Sequence, residues 1–266
     1  MRHRPPSVLL CAALLPLLAT SAAHANDDDR WSFELGVGGG AAPRYSGSED
    51  YQAAPFLSFD VQAPGGWFLG TSGIGWGTAI GENATVRGYV GVSGSRRDKD
   101  STLGGSDFLR GMGDIRSRAM VGVAGGYAFG EAVLSGSWHY TPKDKDRAEN
   151  GLATQQIQLS LEMPLMDLAG GTLSGSVSTE YGNQGYMQTW YGVSAAQAAR
   201  SKFGQYKPKA GLVSAGLGLT WTRPIGTKGN FFVGVEGTRL LGDAADSPIV
   251  QKPNQFGMMS GYTHRF

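Results

Sequence analysis

The residues best placed to do chemistry are few. Beyond residue 25 the chain has two histidines, His139 and His264. His139 follows Ser137 by two positions, so in an extended strand the two side chains share a face. A serine beside a histidine is the minimum for nucleophilic catalysis, with the imidazole taking the hydroxyl proton. Here the pair points away from the apolar face of Leu134, Trp138 and Tyr140. A polar structural pair is expected rather than a catalytic one. Gly36-Val-Gly-Gly-Gly40 has the composition of a phosphate-cradling loop, but no helix signal follows it. Asp27-Asp-Asp29 lacks the further oxygen ligands of a calcium loop. Asp243 and Asp246 read as turn residues, and His264 as an interfacial side chain. Cys11 is the only cysteine and lies inside an apolar leader. The reading is therefore of no enzyme, no cofactor and no metal site.

The elements that carry these residues are strands. Segments of about ten residues alternating between apolar and polar recur from Trp31 onward, separated by turn residues. The clearest is Ile157, Leu159, Leu161 and Met163 against Gln156, Gln158, Ser160 and Glu162. Aromatics stand at the ends of apolar faces, as at Trp31, Tyr140, Tyr181, Trp221 and Phe266, where membrane-interface girdles are found. The terminal stretch places Phe256, Met258, Tyr262 and Phe266 on one face and ends on the aromatic. It is expected to be the closing strand, and the signal that barrel-assembly machinery reads. A soluble β-sandwich would instead bury its apolar face and keep short loops.

Arg2 and Arg4, the apolar run Val8–Ala19 and the small-x-small site Ala23-His24-Ala25 form an export signal. Cleavage after Ala25 leaves residues 26–266 as one barrel domain. The mature chain loses two of its 23 basic residues, leaving 21 against 22 acids, a formal charge of −1. That balance excludes a nucleic-acid partner. No later apolar run could span a membrane as a helix. Connections alternate long and short if Trp67–Ile80 is split by a tight turn near Gly73. The expected fold is an all-β, antiparallel outer-membrane barrel of about twelve strands, ten if that hairpin folds otherwise. Both termini would be periplasmic, and outer-membrane lipid would surround the barrel.

Parity points Glu34, Asp60, Glu162, Glu180 and Glu236 inward, together with Arg87 and Arg118. Buried charges must be paired or hydrated. Two outcomes are open: a paired network that plugs the lumen, or a wet, net-acidic lumen that prefers cations.

Three segments carry a family resemblance. The first is Gly38-Gly-Gly40 with Pro43, Tyr45, Gly47-Ser48, Tyr51 and Pro55. The second is Trp190-Tyr-Gly-Val-Ser194 through Ala195–Ala199 to Tyr206 and Gly211. The third is Arg239–Val250, followed by Tyr262 and Phe266. Together they resemble the MipA/OmpV family of MltA-interacting outer-membrane proteins. The resemblance implies a non-catalytic protein of the Gram-negative outer membrane. It implies a scaffold joining a lytic transglycosylase to a penicillin-binding protein in murein synthesis and turnover. Other members are described as porin-like proteins or adhesins, so a small pore or adhesin is the alternative.

Overall fold

The computed structural model describes residues 30–101, 104–144 and 149–266. The predicted export signal lies outside the described residues. The strands are β1 (Ser32–Pro43), β2 (Tyr51–Ala53), β3 (Phe56–Gln62), β4 (Trp67–Gly70), β5 (Gly73–Ile80), β6 (Ala84–Val92) and β7 (Ala119–Phe129). They continue with β8 (Ala132–Thr141), β9 (Thr154–Leu168), β10 (Gly171–Gly182), β11 (Gly211–Ile225), β12 (Gly229–Leu240) and β13 (Asn254–Arg265). Each pairs antiparallel with its sequence neighbour, except that β2 and β3 both lie along β1 and share one position in the wall. β13 pairs back onto β1 over Glu34–Ala41, closing a barrel of twelve strand positions. Among the described residues each of the twelve positions then has a neighbour on both sides, as a structure crossing hydrocarbon requires, although β3 meets β4 only over Asp60–Gln62.

Alternation explains the wall. Leu57, Leu217 and Phe256 are 74%, 66% and 65% exposed on the outer surface. Serine, glutamine and carboxylate side chains such as Ser160, Gln158 and Glu162 take the opposite parity and face the lumen. Such exposure would be untenable in water, and a bilayer covers it. A closed barrel with an outward apolar band and aromatic girdles is an outer-membrane architecture. The girdle is dense at the end where the turns are short. Trp76 Nε1 donates to Gly65 O at 2.7 Å and Trp221 Nε1 to Leu168 O at 2.8 Å, tying indoles to turn carbonyls.

The Trp67–Ile80 segment is split as expected, with Gly70 paired to Gly73 across Thr71–Ser72. The first long connection is shorter than alternation suggests. β1 runs to Pro43 and β2 resumes at Tyr51, because Ala41–Pro43 pairs with Tyr51–Ala53. At the turn end, Ala169 (φ 51°) and Gly170 (φ 74°) form a two-residue hairpin between β9 and β10. Two successive left-handed residues suit the twist of the flanking strands.

The opposite end carries the long connections. That between β10 and β11 holds two helices, α1 (Gln184–Tyr191) and α2 (Ala195–Arg200). α1 is capped by Asn183, whose side chain accepts from Tyr186 N. α2 opens with a capping box between Ser194 and Gln197.

Candidate functional site

The long loops form a folded cap. One buried cluster joins Tyr45 from the β1–β2 loop, Leu109 and Met112 from the β6–β7 loop, Val193 and Phe203 from the β10–β11 loop, and Ile249 from the β12–β13 loop. In the ring of strands the β6–β7 and β12–β13 connections lie opposite one another. A core that contains residues of both must therefore extend across the mouth. Leu109, Met112, Val193 and Ile249 are all fully buried, so the cap has a packed interior of its own. A second cluster, Met187, Tyr191, Val213, Leu240 and Ala244, seats α1 on the rims of β11 and β12.

Polar ties cross the same interior. Gln197 Nε2 donates to Met112 O at 2.7 Å and to Asn150 Oδ1 at 2.9 Å, while Asn150 Nδ2 donates to Met112 O at 3.0 Å. Three loops meet in those bonds. Arg44 pairs with Asp100 at 2.6 Å, and Arg200 with Glu149. Arg96 is buried beneath Trp190, donating from Nη1 to its carbonyl at 2.5 Å with the guanidinium 6.0 Å from the indole ring. Burial pushes the Arg96 guanidinium down to about 10, opposed by nearby Tyr45, Tyr191 and Asp98. Burial raises the Tyr45, Tyr186 and Tyr191 phenols above the ordinary tyrosine range. Tyr45 Oη donates to Ile249 O and Gln251 Oε1, and Ser46 Oγ meets Tyr191 Oη at 2.8 Å.

Below the cap, the inward charges fall into separate places. Glu34 and Asp60 are cross-strand neighbours near the turn end, and Glu34 meets Arg265 at 3.6 Å. Asp60 accepts from Gln62 Nε2 at 3.0 Å. Arg87 lies 5.9 Å from the centre of the Phe68 ring. Arg118 stands at the loop end, just before β7, and donates to Pro142 O at 2.7 Å and Leu152 O at 2.9 Å. It ties the rim together instead of meeting a carboxylate inside the barrel. Glu162 and Glu236 line one lumenal hollow with Ser174, Ser176 and Thr220. Glu180 sits under α1 facing Tyr186, Gln156 and Gln158, and its Oε1 takes no hydrogen bond. The seven residues are thus not one connected network.

Aromatic side chains fill lumen that the charges leave. Tyr89 Oη on β6 meets His139 Nε2 on β8 at 2.6 Å, reaching past β7, and Gln156 also bonds the imidazole. The Tyr89 ring lies over Gly122, where a Cβ would come within 2.5 Å of it. Phe56 and Phe232 stack at 6.1 Å above Gly261, where a Cβ would meet both rings within 3.0 Å. At the carboxyl end, Phe256, Met258 and Phe266 project outward, His264 packs between Tyr262 and Phe266, and Phe266 N donates to Phe33 O at 2.9 Å.

Sequence reasoning missed Arg265, Arg96, Asn150 and Gln197. Arg265 was within reach, since its parity on the last strand is the inward one. The Ser194-x-x-Gln197 spacing is a helix-start signature. No sequence signal announces that Asn150 and Gln197 meet, because their contact depends on loops from different strands.

Among solved structures the chain is similar to the NanC porin, at 10% identity and a TM-score of 0.49, over 86% of this chain and 98% of that one. It is also similar to an outer membrane channel from Pseudomonas putida F1, at 8% identity and a TM-score of 0.47, over 91% and 98%. No curated protein matches the chain in sequence. A family model described as MltA-interacting protein MipA matches residues 35–266. The match runs from early β1 to the last residue, and the chain belongs to the MltA-interacting protein MipA family.

Proposed function

We propose that this protein is a closed outer-membrane barrel acting as an interaction scaffold for murein-processing enzymes, not as a diffusion pore or an enzyme. The observation that carries the reading is the buried core shared by loops from opposite sides of the mouth. A loop core of this kind spans the path that solutes would take. The lumen beneath it holds aromatic rings packed over glycines, which favours a rigid body over a channel. The family description, MltA-interacting, supports a lytic transglycosylase as the partner class, with a penicillin-binding protein as the second member implied by the resemblance. In this reading the export signal is removed after Ala25, the long loops face outward and the short turns face the periplasm. The outward aromatics of β13 serve as the assembly signal. The non-enzymatic reading is supported by His139, which bonds to Tyr89 and lies inside the wall.

The experiment is photo-crosslinking in intact envelopes from Glu82, Glu131 and Lys228, all in or beside short turns, paired with planar-bilayer recordings of purified protein. The scaffold reading expects a murein hydrolase or synthase in the crosslinked product and little steady conductance. Steady cation conductance with no envelope-enzyme partner would favour the small-pore alternative, through the hollow lined by Glu162 and Glu236.

A further inference from the structure

The outer wall is indented on one side. A concavity of about 840 Å³ extends along the lipid-facing surface from β9 through β13 to β1 and β2. Its walls are mostly apolar, including Leu161, Val177, Leu217, Val235 and Phe256, with Tyr51 toward the loop end, and Ser176 and Glu236 of the inward parity border it. Glycines make the indentation possible, since Gly175 and Gly237 face outward where their neighbours carry large side chains. A Cβ at Gly237 would contact the Phe256 ring at 3.4 Å, and one at Gly175 the Leu165 side chain at 3.0 Å. Tyr51 is held beside the groove because its Oη accepts from Phe256 N at 3.2 Å.

A cation lies just beyond the loop end of this groove, two residues from Gly237 on β12 and paired with Asn254, two residues from Phe256. Arg239 follows Gly237 by two residues on β12, so its side chain takes the same outward face. It is exposed, its cross-strand neighbours are Ala215 and Asn254, and Nη1 donates to Asn254 Oδ1 at 3.2 Å. Among the described residues no carboxylate pairs with it. Asn254 engages Nη1, and the exposed guanidinium carries further donors that an anionic group can take. Planar guanidinium forks suit phosphate oxygens, and a cation at the membrane surface attracts anionic headgroups.

We propose that this face is a lipid site: acyl chains lie in the groove and a headgroup phosphate sits on Arg239. The loop-end position of Arg239 selects a phosphorylated, multiply acylated glycolipid of the outer leaflet, which rests on the orientation proposed above. The groove spans β9 through β13 to β1 and β2, a width that takes more than two chains, so chain number selects against a two-chain phospholipid and the phosphate selects against the dephosphorylated glycolipid.

The test titrates the full barrel in detergent micelles with lipid A, its dephosphorylated form and phosphatidylglycerol, and counts bound lipid by native mass spectrometry. Lipid A should be retained over both. Arg239→Gln should lose about fivefold of that preference, the weight of roughly one interfacial cation. Gly237→Leu, which fills the groove, should reduce retention of all three lipids. Arg223→Gln, exposed at the turn end of β11, should leave lipid A binding unchanged. Heat-shifted gel migration identifies any variant that fails to fold, and Arg239→Lys then serves as the second substitution, expected to bind more weakly than wild type. Equal retention of the three lipids, wild-type behaviour of Arg239→Gln, or preference for phosphatidylglycerol would each overturn the proposal. No murein enzyme is present in this assay, so an empty crosslinking result would count against the scaffold and leave the lipid site standing.

Discussion

The two ends of the barrel are held by different physics. At the turn end, connections such as Gly130–Glu131 and Ala169–Gly170 contain two residues, and their shape follows from left-handed backbone angles at Gly130, Ala169 and Gly170. Each is local and independent of the others. At the loop end, connections of up to 28 residues between β10 and β11 share buried side chains with loops from across the ring. There the conformation of one loop depends on several others. Damage should therefore stay local at one end and spread at the other.

The largest effect is expected from Met112→Asp. An unpaired carboxylate in the cap core costs several kcal/mol, enough to release the loops from one another. Steady conductance should appear in planar bilayers while gel migration still shifts on heating, since the wall is untouched. If the mouth stays closed, the contrast between a cooperative cap and an independent wall is wrong.

Gly122→Val attacks the wall instead. Its side chain would collide with the Tyr89 ring, and overpacking of this kind costs about 1–3 kcal/mol. The urea unfolding midpoint should fall, and Tyr89→Ala should recover most of the loss. An unchanged midpoint would mean that the ring is free to move.

Alkaline pH should separate the ends without mutation. The folded-state phenols of Tyr45, Tyr186 and Tyr191 titrate above the ordinary value of 10.0 because they are buried. Their contribution to stability is complete below pH 10 and is lost as pH rises toward the folded values. Arg96 acts in the other direction: with its folded value near 10, its burial penalty eases above that pH. Three phenols oppose one guanidinium, so the cap should weaken overall. Near-ultraviolet circular dichroism should fall together with the appearance of tyrosinate absorbance, while far-ultraviolet strand signal persists. Simultaneous loss of both signals would make the cap inseparable from the barrel.

The smallest effect belongs to the turn end. Arg265 and Glu34 are 3.6 Å apart and both partly open to solvent, where pairs contribute about 0–1 kcal/mol. Arg265→Ala should shift the unfolding midpoint barely, and a larger loss would show that this end is more tightly coupled than its short turns suggest.

The wall was legible because its information is periodic. Every second residue of β9 from Ile157 to Met163 is apolar, and lipid on one side with polar lumen on the other demands that pattern. The split of Trp67–Ile80 was legible from Gly73 for the same reason: a tight turn had to fall where the long–short order required it. Inward parity was readable for Glu34, Glu162 and Glu236, but their partners were not. Arg118 has inward parity in the sequence, yet at the rim the backbone carbonyls of Pro142 and Leu152 in the β8–β9 loop claim it.

What the sequence determined by itself is therefore the class of fold, the approximate number of strands and which face of each strand meets lipid, since these follow from side-chain period along a single segment. Tertiary structure decided the rest. Closure of β13 on β1 sets Arg265 against Glu34, and the ring arrangement brings Met112, Gln197, Asn150 and Ile249 over one mouth. The same closure brings Ala41 and Tyr51 into one groove with Leu161, Leu217 and Phe256, from strands far apart in the chain. These contacts join residues separated by tens to hundreds of positions, and no local pattern of apolar and polar residues encodes which loop another loop will meet.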